Sequence, residues 1–232
     1  MSNGLKRSHE INPNGSHRHD GKGLLLASLD HPHITQVLMV NRRSSGLKHP
    51  KLTELIVPDF THLVSYSVHL PVYDGCFYCA GISSFSMDEQ QYSHITLYTT
   101  MLFARDLARF NPGMVFVYLS GLYADSSERG KIMWARIKGK TENALNELPF
   151  KAVCSFRPGF IMPLKGQKNV RLLYKGLKLI YPYVFPKLTL TYDEVATALI
   201  RVLRLGYDKT ILEINEMKSL AKQSELDTYN FR

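Results

Sequence analysis

Cysteine is scarce in this chain: Cys76, Cys79 and Cys154 are the only three in 232 residues. That usage points to a reducing compartment and away from a disulfide-stapled secreted fold. No apolar run approaches the ~20 residues that a membrane span needs. The basic-then-apolar pattern of a secretory signal is missing from the N-terminus. The expected location is therefore cytoplasmic. Acidic residues are also short, 20 against 29 Lys and Arg, which leaves a formal net charge of +9. Part of the excess lies in residues 1 to 23 and part in scattered lysines between Lys165 and Lys187. No RRM or other nucleic-acid signature accompanies it, so nucleic acid is not an expected partner. A basic surface that attracts phosphate-bearing ligands accounts for the charge equally well. With 44% hydrophobic and 21% charged residues, the length suits a single α/β domain.

Cys76 and Cys79 spell C-x-x-C within DGCFYCAG, but the string sits on an apolar strand-like run. Alternation would send the two thiols to opposite faces, so they read as small buried hydrophobes rather than as a zinc or redox pair. His9, His17 and His19 have no rigid element or second shell around them, and no metal site is expected.

Strand-like runs at 36–41, 52–57, 73–80, 114–119 and 152–156 alternate with helical spacing at 21–29, 92–110, 128–147 and 193–205. Leu97, Met101, Leu102 and Leu107 mark the apolar side of the second helix. Such an order means a parallel sheet covered on both faces, a Rossmann-like doubly wound α/β fold. One strand is out of place. The first helix should follow a central strand, yet the residues before it read HEINPN, with one aliphatic residue, two asparagines and a proline. This composition is unsuited to the middle of a sheet. The first strand is expected to be degraded or absent, with residues 1–20 a disordered or out-of-frame tail, 21–217 the domain and 218–232 a second tail.

From Gly21 to about Met217 the chain resembles the NAD(P)-binding epimerase/dehydratase-like proteins, an atypical branch of the extended short-chain dehydrogenase/reductase group. The strings that carry the resemblance are GKGLLLASLDHP, VLMVNRR, DGCFYCAGISS, YLSG, MWARIKGKTE and FRPGF. The resemblance implies a GATGxxG turn whose first and third glycines fall on Gly15 and Gly21. Arg18 stands where the second glycine would let the backbone approach a pyrophosphate. His9 to Asp20 can be back-translated so that the same bases, read one position later, give MKSILTGATGMM. That segment runs in register into GKGLLLASL, which suggests a frame change just before Gly21, natural or from a sequencing error. The alternative is a divergent tail. Either way the chain as it stands lacks an intact phosphate cradle.

On the cofactor side, Asn41, Arg42 and Arg43 end the strand at which an adenosine ribose arrives in such folds. Two arginines can grip a 2′-phosphate, and no acid is evident nearby, so NADP(H) is expected over NAD(H). The resemblance also puts Asp59 and Phe60 near the adenine, and Ala80, Gly81 and Ile82 along the cofactor.

On the chemical side, hydride-transferring members of the group use a serine, a tyrosine and a lysine, the last two one helical turn apart. Ser120 matches the serine and Lys138 the lysine, whereas the tyrosine position is Trp134. An indole N–H donates a hydrogen bond but does not transfer a proton near neutral pH. Tyr123, three residues after Ser120, is a candidate to fill the gap, and Asp125, Ser126 and Ser127 suit a helix cap. Arg157 either meets an anionic substrate or pairs within the fold. Residues 165–187 are basic and aromatic, suited to covering the pocket or to a weak peripheral membrane or protein contact. The resemblance implies an NADP(H)-binding, reductase/epimerase-like protein of unknown substrate, a weak oxidoreductase. The alternatives are a dinucleotide-sensing scaffold without turnover and a nonfunctional frame-shifted product.

Overall fold

The structure is a computed structural model that describes residues 8–11, 18–69, 73–162 and 186–223. Its centre is a seven-stranded sheet in which every neighbouring pair runs parallel. In chain order the strands are β1 (Ser8–Ile11), β2 (Val37–Asn41), β3 (Leu52–Ile56), β4 (Gly75–Tyr78), β5 (Val115–Leu119), β6 (Ala152–Arg157) and, later, β9 (Ile211–Glu213). A separate pair joins β7 (Phe160–Ile161) to β8 (Thr189–Leu190). The helices are α1 (Arg18–Asp30), α2 (Glu89–Ser93), α3 (Thr99–Phe110), α4 (Met133–Asn146), α5 (Tyr192–Leu205) and α6 (Ile214–Lys222). A π-helical turn, His94–Tyr98, joins α2 to α3.

Both faces of the sheet are apolar because β2, β4 and β5 are apolar at nearly every position, as a sheet covered on both sides requires. Val37, Met39, Phe77, Val115, Val117, Cys154 and Phe156 point into one core, closed by α1, α5 and α6. Leu38, Val40, Cys76, Tyr78, Phe116 and Tyr118 point into the other, under α3 and α4. Cys76 and Cys79 fall into different cores, both thiols buried and free. Helix α5 is anchored by a capping box in which Thr191 accepts from the Glu194 amide at 3.1 Å and Glu194 accepts from the Thr191 amide at 2.8 Å. Asp193 lies in the first turn of this helix, one residue after its start.

The sheet order is β3-β2-β1-β4-β5-β6-β9, so the chain winds outward from β1 in one direction and then crosses to β4 to wind in the other. The reversal between β1 and β4 is the point at which open α/β sheets leave a crevice at the carboxyl ends of their strands. The doubly wound fold stands as expected from the sequence, with a first strand reduced to four residues. Its position corrects the exclusion of HEINPN from the middle of the sheet. Ser8 to Ile11 pairs with Val37–Val40 on one side and Gly75–Tyr78 on the other. The strand uses His9, Glu10 and Ile11 and stops before Asn12 and Pro13, so the proline's missing donor never enters the ladder. Residues 12–17 lie outside the described residues, and so does most of 165–187, the segment considered for a peripheral contact. The expected boundary at 217 falls inside α6, which continues to Lys222.

Candidate functional site

The crevice wall on the β5 side is built from three short pieces of chain. Ser120 follows β5, where its backbone N–H donates to Phe156 O at 2.8 Å. The residue is 8% exposed, and its Oγ has no hydrogen-bond partner. At the next residue, a Cβ built on Gly121 would stand 3.6 Å from Cδ and Cε of Lys138 and 3.9 Å from Cζ3 of Trp134. Ser120, Trp134 and Lys138 therefore gather at one place, as their spacing in sequence suggested. Trp134 and Lys138 share a face of α4 because four residues span roughly one turn.

Helix α4 is seated by close backbone contact. A Cβ on Gly139 would lie 1.8 Å from the Asp125 carbonyl oxygen, so glycine is what lets the helix approach this loop. The Asp125 N–H in turn donates to Ala135 O at 2.9 Å. The Asp125 carboxylate gathers the loop by accepting from the Ser127 N–H at 3.0 Å, the Ser127 hydroxyl at 2.6 Å and the Gly130 N–H at 2.6 Å. It closes the turn ahead of α4 rather than capping the helix, whose N-cap, Ile132, has no side-chain bond.

Lys138 is half-buried, with its ammonium 5.5 Å from the centre of the Tyr118 ring. Among the described residues it makes no hydrogen bond or ion pair. Loss of solvent pushes its pKa down to about 8, against the opposing pull of Glu142. Glu142 sits one turn further on, fully buried, and its carboxylate is taken by Arg157. Nε of Arg157 donates to Glu142 Oε1 at 3.0 Å and Nη2 donates to Glu142 Oε2. The same guanidinium donates to Glu213 at 3.2 Å and to Ser126 Oγ at 2.6 Å. Of the two readings of Arg157, pairing within the fold is the one the structure displays: it ties β6, α4, β9 and the 126 loop together.

Tyr123 lies in the turn that follows Ser120, which the Ala124 N–H closes onto Gly121 O at 3.1 Å. It is 69% exposed, in a left-handed backbone conformation at φ 67°.

On the other side of the crevice, Asn41 ends β2 with a buried side chain. Its Nδ2 donates to Glu54 Oε1 at 3.0 Å, while its Oδ1 has no hydrogen-bond partner. Glu54, on β3, also accepts from the Ser44 hydroxyl at 2.6 Å and the Ser45 N–H at 2.8 Å. Burial raises the Glu54 pKa, but the bonds from Ser44, Ser45 and Asn41 outweigh it and hold the carboxyl below its ordinary value. Arg42 and Arg43 are exposed. An acid is thus present at this strand end after all. It was missed because it comes from the neighbouring strand, eleven residues after Arg43, and only the β2–β3 register brings it alongside.

Asp59 accepts from the Thr61 N–H at 2.9 Å and lies 3.2 Å from His62 Nδ1, closing the start of the 3₁₀ segment Phe60–His69. Ala80, Gly81 and Ile82 follow β4 at the crevice mouth, half-buried. Gly21 is buried inside α1, and Gly15 lies outside the described residues.

Two buried polar atoms without partners, Asn41 Oδ1 and Ser120 Oγ, flank a topological switch point. Such a switch point is where open α/β sheets take their ligands. No family model matches the chain, and neither does any curated protein. Solved structures do. Uronate dehydrogenase from Agrobacterium tumefaciens is 13% identical, covers 90% of this chain and 76% of its own, and superposes with a TM-score of 0.62. The Bordetella bronchiseptica enzyme WbmF in complex with NAD+ is 15% identical, with 98% and 80% covered and a TM-score of 0.62. A short chain dehydrogenase from Burkholderia cenocepacia in complex with NADP is 13% identical, with 98% and 95% covered and a TM-score of 0.60. The chain shares its fold with these dehydrogenases.

They also correct the expected preference for NADP(H). WbmF, a mutant of the Agrobacterium uronate dehydrogenase and a further enzyme bound to UDP-glucuronic acid all hold NAD, against NADP in the Burkholderia protein. Glu54 supplies part of a physical reason, since a carboxylate at this strand end offsets some of the attraction of Arg42 and Arg43 for a 2′-phosphate. Among the described residues no helix is long and apolar enough to cross a membrane.

Proposed function

We propose that this chain is an NAD(P)-binding protein of the reductase/epimerase kind, whose crevice holds a dinucleotide and turns substrate over slowly or not at all. The observation that carries the reading is the grouping of Ser120, Trp134 and Lys138 beside Gly121 at the end of β5. The bound group would supply a hydride-transferring nicotinamide. Lys138 would hold the ribose next to it, and Asn41 would meet the adenosine ribose. Ser120 has a free hydroxyl with which to orient a carbonyl oxygen. Trp134 occupies the place from which a proton should come, and an indole cannot give one at neutral pH. Tyr123, three residues after Ser120, is exposed, and its replacement by phenylalanine tests whether it supplies the proton.

The same observation favours a second reading, a dinucleotide-sensing scaffold without turnover. The phosphate side is the weak part of the site, with Arg18 in place of a turn glycine. A frame change over residues 9–20 explains that mismatch, and sequencing the gene across Gly21 tests it. An unbroken frame with codons incompatible with MKSILTGATGMM sinks that part of the account. For function, the chain carrying MKSILTGATGMM is given NADH or NADPH with small aldehydes, ketones and nucleotide sugars. Turnover is expected to be slow or absent at saturating dinucleotide. Vigorous turnover that survives Tyr123→Phe would overturn the proposal.

A further inference from the structure

Lysine and glutamate four residues apart on a helix ordinarily pair. Lys138 and Glu142 have that spacing on α4, but Arg157 has captured both carboxylate oxygens of Glu142. The ammonium is left half-buried, over the Tyr118 ring, with no hydrogen bond or ion pair among the described residues. Ser120 immediately precedes Gly121, against which the Lys138 stem packs, and its hydroxyl, in a residue more than nine-tenths buried, is also without a partner. Gly121 puts no side chain between them. Cationic lysine in such surroundings is poorly solvated, which outweighs the pull of Glu142 and makes the neutral, nucleophilic form more populated than in an exposed lysine.

We infer that Lys138 is a carbonyl-capturing amine that condenses reversibly with small aldehydes, the Ser120 hydroxyl donating to the carbonyl oxygen as it does so. This rests on the reading of the Ser120–Trp134–Lys138 cluster as the substrate end of the crevice. The neutral Nζ lone pair adds to the carbonyl carbon, and the carbonyl π pair moves to oxygen, which takes a proton to give a carbinolamine. The nitrogen lone pair then forms the C=N bond, and the oxygen, protonated again, leaves as water. One amine and one aldehyde give one Schiff base and one water, with no change in oxidation state. The lowered pKa near 8 agrees with the geometry. An exposed lysine at pH 7 is neutral in only about one part in a few thousand, against roughly one in ten for a group titrating near 8.

The test uses the full chain with benzaldehyde as probe and cyanoborohydride to trap the imine, read by peptide mass spectrometry. Lys131 and Lys140, exposed and flanking the same helix, are the internal standards. At pH 7 the Lys138 adduct is expected at least about tenfold faster than theirs. Its rate should rise with a midpoint near 8 rather than near the ordinary lysine value. Ser120→Ala should slow it several-fold without moving that midpoint. Lys138→Met, checked for folding by circular dichroism, should lose the fast adduct. Adding NADH separates the two readings. Protection of Lys138 supports both, whereas fast labelling without protection keeps the amine and removes the dinucleotide. Labelling of Lys138 no faster than Lys131 and Lys140 overturns the inference whether or not NADH binds.

Discussion

Replacing Glu142 with alanine removes the counter-charge of a guanidinium that is itself buried. Glu142 is fully buried and Arg157 is 8% exposed, so the lost partner cannot be replaced by water at the same place. Of the four bonds that hold Arg157, the two to Glu142 go and the two to Glu213 and Ser126 remain. Breaking one side of a buried pair costs about 3–5 kcal/mol. The remaining link to Glu213, whose side chain is 46% exposed, keeps the expected loss at the lower end of that range. In a domain of this size about 3 kcal/mol corresponds to a fall in Tm of roughly 6–12 °C. Urea unfolding followed through Trp134, the only tryptophan, reads the loss directly. The double replacement Glu142→Leu with Arg157→Met should recover most of it, because a packed apolar pair carries no desolvation cost. A Glu142→Ala cost below about 1 kcal/mol, with an unchanged urea dependence, would refute the pairing and return Arg157 to the role of a substrate-facing cation.

Lys138→Met should stabilise the chain at pH 7. The native pKa lies near 8, below the 10.5 of an ordinary lysine, so between those values the unfolded state binds more protons. The penalty is fully present below about 8 and is relieved as pH rises toward 10.5, so the variant's advantage in urea midpoint should shrink over that window. Gly139→Ala forces α4 away from the Asp125 carbonyl and should cost at least about 1–3 kcal/mol in the same assay, the range for overpacking. A smaller cost would mean that the close approach is not fixed. Glu54 is held below its ordinary carboxyl value. Its contribution is complete above the unfolded value near 4.5 and is lost as pH falls through the lower folded one. The protection of the Ser45 amide against hydrogen exchange, taken relative to its intrinsic rate at each pH, should therefore fall under acid and not under alkali.

The parallel sheet was legible because β2, β4 and β5 are apolar runs that alternate with helical spacing. Ser120 and Lys138 were singled out by their match to a family pattern, and the structure sets both near Gly121 without testing their roles. What could not be read depended on neighbours distant in sequence. Glu54 serves Asn41 only through the β2–β3 register, and Arg157 takes Glu142 only because β6 runs beside α4. The four-residue strand Ser8–Ile11 has no periodicity of its own, and its place in the sheet follows from the gap that β2 and β4 leave between them. The pair β7–β8, two residues each, and the three-residue strand β9 were too short to carry a signal.

Trp134 offers the most direct measurement of the central claim, because the only tryptophan stands beside Lys138 where a nicotinamide would lie. NADH absorbs where tryptophan emits. Titrating it into the chain as it stands and into the chain carrying MKSILTGATGMM should quench Trp134 saturably, with sensitised emission from the reduced nicotinamide. Binding should be at least about tenfold tighter in the second, which regains backbone donors at a helix N-terminus. A folded protein of either form whose Trp134 emission does not respond to NADH or NADPH would contradict the account.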